Sequence, residues 1–206
     1  GEKNFYEIFN RDNVALIDLR HTPITQITPT GIATADTTHD LDAIIYATGF
    51  HSITGELLRM EIVGQNGRSL REHWADGPRT NLGVQFSGFP NLWAVMGPHN
   101  PALFCNIPRC IEQNVEWVAK LFSYIKEHNF TRIVPTSDAE DEWTEHVHDA
   151  ASKLLFTKVD SWFTGINSNI LGKDQRTSLL YAGGAPTYKE KCDEAAVNDY
   201  TGFVLQ

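Results

Sequence analysis

Residues 40–50 read DLDAIIYATGF, and this stretch constrains the fold more than any other. The apolar run is too short for a helix. It also lacks the apolar–polar alternation of a strand with one wet face. What remains is a strand covered on both sides, the kind found in the parallel sheets of α/β proteins. The run ends on Thr48 and Gly49, so the chain is expected to turn there. Ligands in open α/β sheets sit beyond the carboxyl ends of such strands.

The flanking sequence fits an α/β reading. VALIDL (14–19), PITQI (23–27) and GIATA (31–35) are short strand candidates punctuated by Pro and Gly, and predict a small antiparallel ribbon feeding the central strand. NLWAVMG (91–97) is a second buried-strand candidate inside a loop-rich, glycine-bearing region. In PRCIEQNVEWVAKLFSYIKEHN (108–129), Ile111, Val115, Val118, Phe122 and Ile125 recur at helical spacing, and Pro108 suits a first turn. A second helix is expected over 137–152, with Ser137 and Glu140 matching an S-x-x-E capping box. A last helix over 186–198 precedes the apolar end GFVLQ.

Composition narrows the function. A formal charge of −9 argues against a nucleic-acid partner, which calls for clustered Lys and Arg. No apolar run approaches the ~20 residues that span a bilayer, so no membrane partner is expected. The first residue is Gly, and no secretory leader is visible; the chain reads as a fragment or a processed product. The acidic stretch DAEDEWTEHVHD (138–149) reads as a solvated helix face. Three cysteines, Cys105, Cys110 and Cys192, make an odd count without CxxC; they read as thiols in a reducing, cytoplasmic setting. His146 and His148 are two apart and cannot share a metal on a helix, so no metal site is assigned. Trp74, Trp93, Trp117 and Trp143 read as packing, and His73 is given no role.

Two strand ends are therefore candidates for chemistry: ATGF (47–50) and MGPHNPALFCNIP (96–108). Small residues at both would let the backbone approach a flat, bulky ligand. The second leads into the start of the long helix, whose free N–H groups and partial positive charge would stabilise negative charge.

The ordered set FYEIFNRDNVALIDL, LDAIIYATGF, LREHWADGPRTNLGV, SGFPNLWAVMGPHNPA, IEQNVEWV, KVDSWFTG and YTGFVL resembles Baeyer–Villiger monooxygenases of the cyclohexanone and phenylacetone type, in the flavin-containing monooxygenase superfamily. The likeness runs from Phe5 to Leu205. It implies a partial FAD/NAD(P)-binding fold of two dinucleotide domains: residues 1–50 would end the NADPH-binding domain and supply the returning strand, and 51–206 would form the C-terminal part of the FAD-binding domain with substrate-side loops. The implied cofactors are FAD and NADPH, and the implied reaction inserts one oxygen of O2 into a ketone, through a C4a-peroxyflavin, to give an ester or lactone.

The resemblance assigns roles residue by residue. Thr48 and Gly49 would pass close to the cofactor, and Asn106 and Ile107 would face the flavin pyrimidine. Trp162 and Lys173 would reach the NADP region. Pro101, Ala102, Leu103 and Phe104 would shape the ketone pocket. The sequence holds no GxGxxG and no FxGxxxHxxxW, and the peroxide-stabilising arginine of the family has no counterpart here, Arg11 included. The chain thus resembles the C-terminal portion only, its implied partner being the N-terminal dinucleotide-binding part of the same protein, and alone it is not expected to be competent. The segment NSNILGKDQR (167–176) is longer than the common pattern and carries Leu171 where many relatives have Pro, which puts the role of Lys173 in doubt. A heteroatom-oxidising flavin enzyme and a non-catalytic remnant or half of a split enzyme stay open as alternatives.

Overall fold

The computed structural model describes residues 4–102, 104–166 and 176–206. They fall into two compact units, one ending at Thr48 and one beginning at Gly49.

The first unit opens with a 3-10 turn, Glu7–Asn10, and is organised by an antiparallel meander of β1 (Ile24–Thr28), β2 (Gly31–Thr34) and β3 (Thr38–Asp40). Thr28 pairs with Gly31 across a tight Pro29–Thr30 turn. Gly31 also pairs with Asp40, and a Cβ there would lie 1.9 Å from the His39 carbonyl oxygen, so no other residue fits without moving the neighbouring strand. β1 and β2 form where PITQI and GIATA predict strands.

Two other strand expectations fail. VALIDL is not a strand, and neither is the run up to Thr48. Ile45 is 90% exposed and Leu16 74%. A strand exists only when another backbone takes its N–H and C=O groups. Apolar content predicts the surroundings a segment needs without supplying that partner, and among the described residues no ladder includes these segments. The turn at the end of the run is present: Gly49 adopts φ +82°.

The second unit is helical. Short helices α1 (Gly55–Arg59) and α2 (Leu70–His73) precede the long α3 (Ile107–Glu127). Then come β4 (Ile133–Pro135), α4 (Ser137–Ser152), α5 (Ala185–Val197) and β5 (Phe203–Leu205), which pairs antiparallel with β4 and so ties down the GFVLQ end. The main core joins Trp117, Val118 and Leu121 of α3 to Trp143 and Val147 of α4 and to Tyr188, Cys192 and Ala195 of α5. Trp117 donates its indole N–H to the Cys192 carbonyl at 2.8 Å. A second cluster of Leu70, Trp74, Phe86 and Phe89 underlies the loops. No helix among the described residues is long and apolar enough to cross a membrane.

Three further expectations are corrected. NLWAVMG is a chain of turns, because Asn91 and Met96 both take left-handed backbone (φ +64° and +56°) that a strand cannot contain. The cap of α4 is Thr136, whose hydroxyl accepts from the Ala139 N–H at 3.1 Å, in place of a Ser137–Glu140 box. Glu140 is instead fully buried, so the acidic stretch is not wholly a wet face. A capping box forms instead between Ser69 and Glu72, at α2.

Candidate functional site

The start of α3 has the features that suit a ligand's negative edge. Asn106 is the N-cap and accepts from the Arg109 N–H at 3.5 Å. Ile107 is the first helical residue, so its N–H has no partner inside the helix, and Pro108 has no N–H to offer. No acidic side chain lies in the first turn, so the positive end of the helix dipole is not neutralised locally. By contrast, α4 carries Asp138 and Glu140 in its first turn. Asn106 is exposed and Ile107 is 45% exposed, so this end is open to a ligand.

The loop before α3 holds Pro101, which is buried, Ala102, half-buried, and Phe104, exposed. Leu103 and Lys173 lie outside the described residues. Cys105 and Cys110 are joined by a disulfide, contrary to the expectation of three thiols, so the end of the loop is tied to the first turn of α3. The odd count left one cysteine over without forbidding a bridge between the other two. The remaining one, Cys192, is a buried thiol whose pKa burial pushes up to about 12.

Trp162 sits in a 3-10 turn, Trp162–Thr164, held by reciprocal bonds between Ser161 and Thr164. Its carbonyl accepts from the Ser52 hydroxyl at 2.8 Å. Its ring meets Phe50 edge-on at 6.1 Å between centroids, so the residue just after Gly49 is brought against Trp162. From Trp162 a run of rings continues through Phe163 (5.7 Å) and Phe156 (6.1 Å) to Phe104 (6.2 Å). Centroid spacings of 4.5–7 Å are those of interacting aromatics. Two expected positions, Phe104 and Trp162, are thereby linked along one partly exposed apolar band that ends at Phe50, the neighbour of Gly49. Thr48 closes the first unit.

Sequence reasoning missed the residues that make those links. Phe50 stands in the ATGF stretch, and the edge of that motif was the available signal. Phe156 and Phe163 follow no helical or strand period, and Ser52 is an ordinary loop serine. Behind the loop, His99 is fully buried and its pKa falls to about 3. Desolvation is the main cause and the neighbouring His148 adds to it, against a smaller opposing effect from the Ser178 backbone.

No family model matches the chain. It is 40% identical over 203 residues to phenazine N-monooxygenase PhzNO1 of Lysobacter antibioticus, covering 98% of this chain and 37% of that protein. It is 35% identical over 202 residues to a Baeyer–Villiger monooxygenase of Pseudooceanicola batsensis, covering 98% and 36%. Among solved structures, the OTEMO complex with FAD and NADP superposes with a TM-score of 0.90 at 44% identity, covering 100% of this chain and 37% of that one. The relatives of this chain at 35–44% identity include Baeyer–Villiger monooxygenases. The mixed helix-and-sheet chain matches a partial segment of the two-dinucleotide-domain fold of the Baeyer–Villiger structures. It spans a little over a third of the length of the Baeyer–Villiger monooxygenases that it matches.

Proposed function

We propose that the chain is the C-terminal portion of an FAD- and NADPH-dependent Baeyer–Villiger monooxygenase that converts a ketone to an ester or lactone. The overall reaction is ketone + O2 + NADPH + H+ giving ester + NADP+ + H2O. The observation that supports this most is the end-to-end superposition on a relative whose complex holds FAD and NADP. On this reading residues 1–50 end the NADPH-binding domain and 51–206 complete the FAD-binding domain.

The residues present fit a flavin. The unneutralised start of α3, with Asn106 and Ile107, suits the pyrimidine edge, which becomes electron-rich on reduction. The left-handed Gly49 lets backbone approach a flat ring without a Cβ. Thr48 precedes it, Trp162 and Lys173 serve the NADP side, and Pro101, Ala102, Leu103 and Phe104 shape the ketone pocket. Hydride acceptance from NADPH and activation of O2 are the chemistry that a flavin held there would supply. The chain's own residues orient the cofactor's edge, seat the ketone against apolar side chains, and keep water away from it.

The helix α3 supports a larger whole. It buries Cys110, Asn114, Trp117, Val118 and Leu121, yet Ile107, Ile111, Val115 and Phe122 on the adjoining flank are 39–49% exposed. An apolar stripe wider than the core it packs against suits a larger core. We assign the exposed flank to the N-terminal part of the same enzyme.

The N-monooxygenase likeness favours a second reading, oxidation at nitrogen or sulfur, because that relative matches over the same span. Incubating the longer polypeptide that contains this chain with a ketone and a sulfide in parallel separates the two. Ester is expected as the main product; sulfoxide without ester would overturn the ketone reading.

A further inference from the structure

The segment Met96–Asn100, just ahead of the proposed ketone loop, holds an unusual backbone. Met96 and His99 are not glycines, yet both lie in the left-handed region, at φ +56° and +65°. Such conformations persist only where the surroundings impose them, and they collect at functional sites.

The surroundings here are a buried polar hub. Asn114 of α3 accepts through Oδ1 from the Met96 N–H at 3.2 Å and from Asn100 Nδ2 at 2.8 Å. The Tyr188 hydroxyl of α5 accepts from Asn114 Nδ2 at 3.0 Å and from Asn100 Nδ2 at 3.2 Å. It donates to the Leu82 carbonyl at 2.7 Å. Leu82 is itself left-handed, at φ +52°. Tyr188 and Asn100 are fully buried and Asn114 is 1% exposed. The hydroxyl therefore has two donors and one acceptor, with no capacity left over. One oxygen on α5 thus fixes both the strained segment and the turn at Leu82 relative to α3.

We propose that Tyr188 and Asn114 are positioning residues that set the ketone-loop residues Pro101, Ala102 and Phe104 through the Met96–Asn100 segment. This rests on the reading of that loop as the ketone pocket. Neither side chain needs to touch ketone or cofactor. Their effect on the reaction is the loss of loop placement when the hub is cut.

The test is Tyr188→Phe in the flavin-loaded longer enzyme, with Tyr181→Phe as control. Tyr181 is equally buried; its backbone N–H donates to the Asn100 carbonyl at 3.1 Å, a bond that phenylalanine keeps, while its hydroxyl pairs with His146 at 3.1 Å. The first readout is amide hydrogen exchange. Tyr188→Phe is expected to speed exchange in residues 96–106 about five- to tenfold, the effect of losing a buried hydrogen bond, with α4 unchanged. Tyr181→Phe is expected to leave 96–106 as it was. The second readout is kinetic: Tyr188→Phe is expected to raise the ketone KM and to divert NADPH oxidation towards H2O2 (NADPH + H+ + O2 giving NADP+ + H2O2), with bound FAD unchanged. Should Tyr188→Phe fail to fold, Asn114→Ala read by the same exchange decides. Unchanged exchange in 96–106, or equal loosening of the whole unit, would overturn the proposal. Local loosening without ester formation by the parent enzyme would instead overturn the ketone reading and leave the hub standing.

Discussion

Replacing Glu140 with alanine is expected to cost the fold about 2–4 kcal/mol, because it strips the acceptor from two buried hydrogen-bonding partners. Glu140 is fully buried on α4, and its Oε1 lies 3.0 Å from His73 Nε2 at the end of α2. The same oxygen accepts from the Ser87 N–H at 2.9 Å, and the Arg79 guanidinium stands 3.7 Å from Oε2. Arg79 also pairs with Asp141. One carboxyl therefore joins α2, the loop at Ser87 and α4, which share no strand. Alanine would leave the His73 ring and the Ser87 N–H buried without their acceptor. Glu140→Gln keeps an acceptor for Ser87 and is expected to cost less, about 1–3 kcal/mol. Urea unfolding at neutral pH measures both. An alanine variant within about 0.5 kcal/mol of the parent, the range of ordinary surface changes, would show that the pair does not hold the unit together.

Acid is expected to weaken the second unit through His99. Its folded pKa is depressed from the ordinary 6.5 to about 3. Between those values the unfolded chain binds a proton that the folded chain refuses. Stability is therefore complete above pH 6.5 and falls as pH drops towards 3. One fully titrating histidine gives a slope of about 1.4 kcal/mol per pH unit, and the whole window about 4–5 kcal/mol. His148, whose ring lies 6.1 Å away, is shifted down too, chiefly by desolvation, and acts in the same direction. His99→Asn removes the titration while keeping a residue that tolerates left-handed backbone. Urea midpoints taken from pH 7 to pH 5 should fall steeply for the parent and more gently for the variant. Parallel curves would mean that His99 charges freely in the folded state.

How far the sequence is legible differs by element. The spacing of Ile111, Val115, Val118, Phe122 and Ile125 locates α3, because a 3.6-residue period depends on the helix alone. It does not say which side faces the core: Val118 is buried, and Ile111, Val115 and Phe122 remain exposed while Asn114 and Trp117 turn inward. The strand readings of 14–19, 41–48 and 91–97 fail for a related reason, since a strand depends on a second segment that a local pattern cannot name. PITQI and GIATA succeed because each is the other's partner across a two-residue turn. His73 with Glu140, and Tyr188 with Asn114 and Asn100, are 67 to 88 residues apart or set among ordinary polar positions. No motif marks them, and only the folded chain brings them together. Of the expected site, the helix start near Pro108 and the glycine turn at Gly49 are legible from first-turn and turn chemistry, whereas Asn106 comes from the family resemblance. The ring contacts that connect Phe50, Trp162 and Phe104 are not legible.

The most direct measurement is bound flavin per polypeptide, compared between this 206-residue chain and the proposed longer protein, each purified with FAD present. If this chain supplies one wall of the isoalloxazine site and the remaining walls come from the N-terminal part, the longer protein carries one FAD per chain and the shorter one is essentially colourless. A short chain that is stoichiometrically yellow, or a long one that takes up no flavin, would contradict the account.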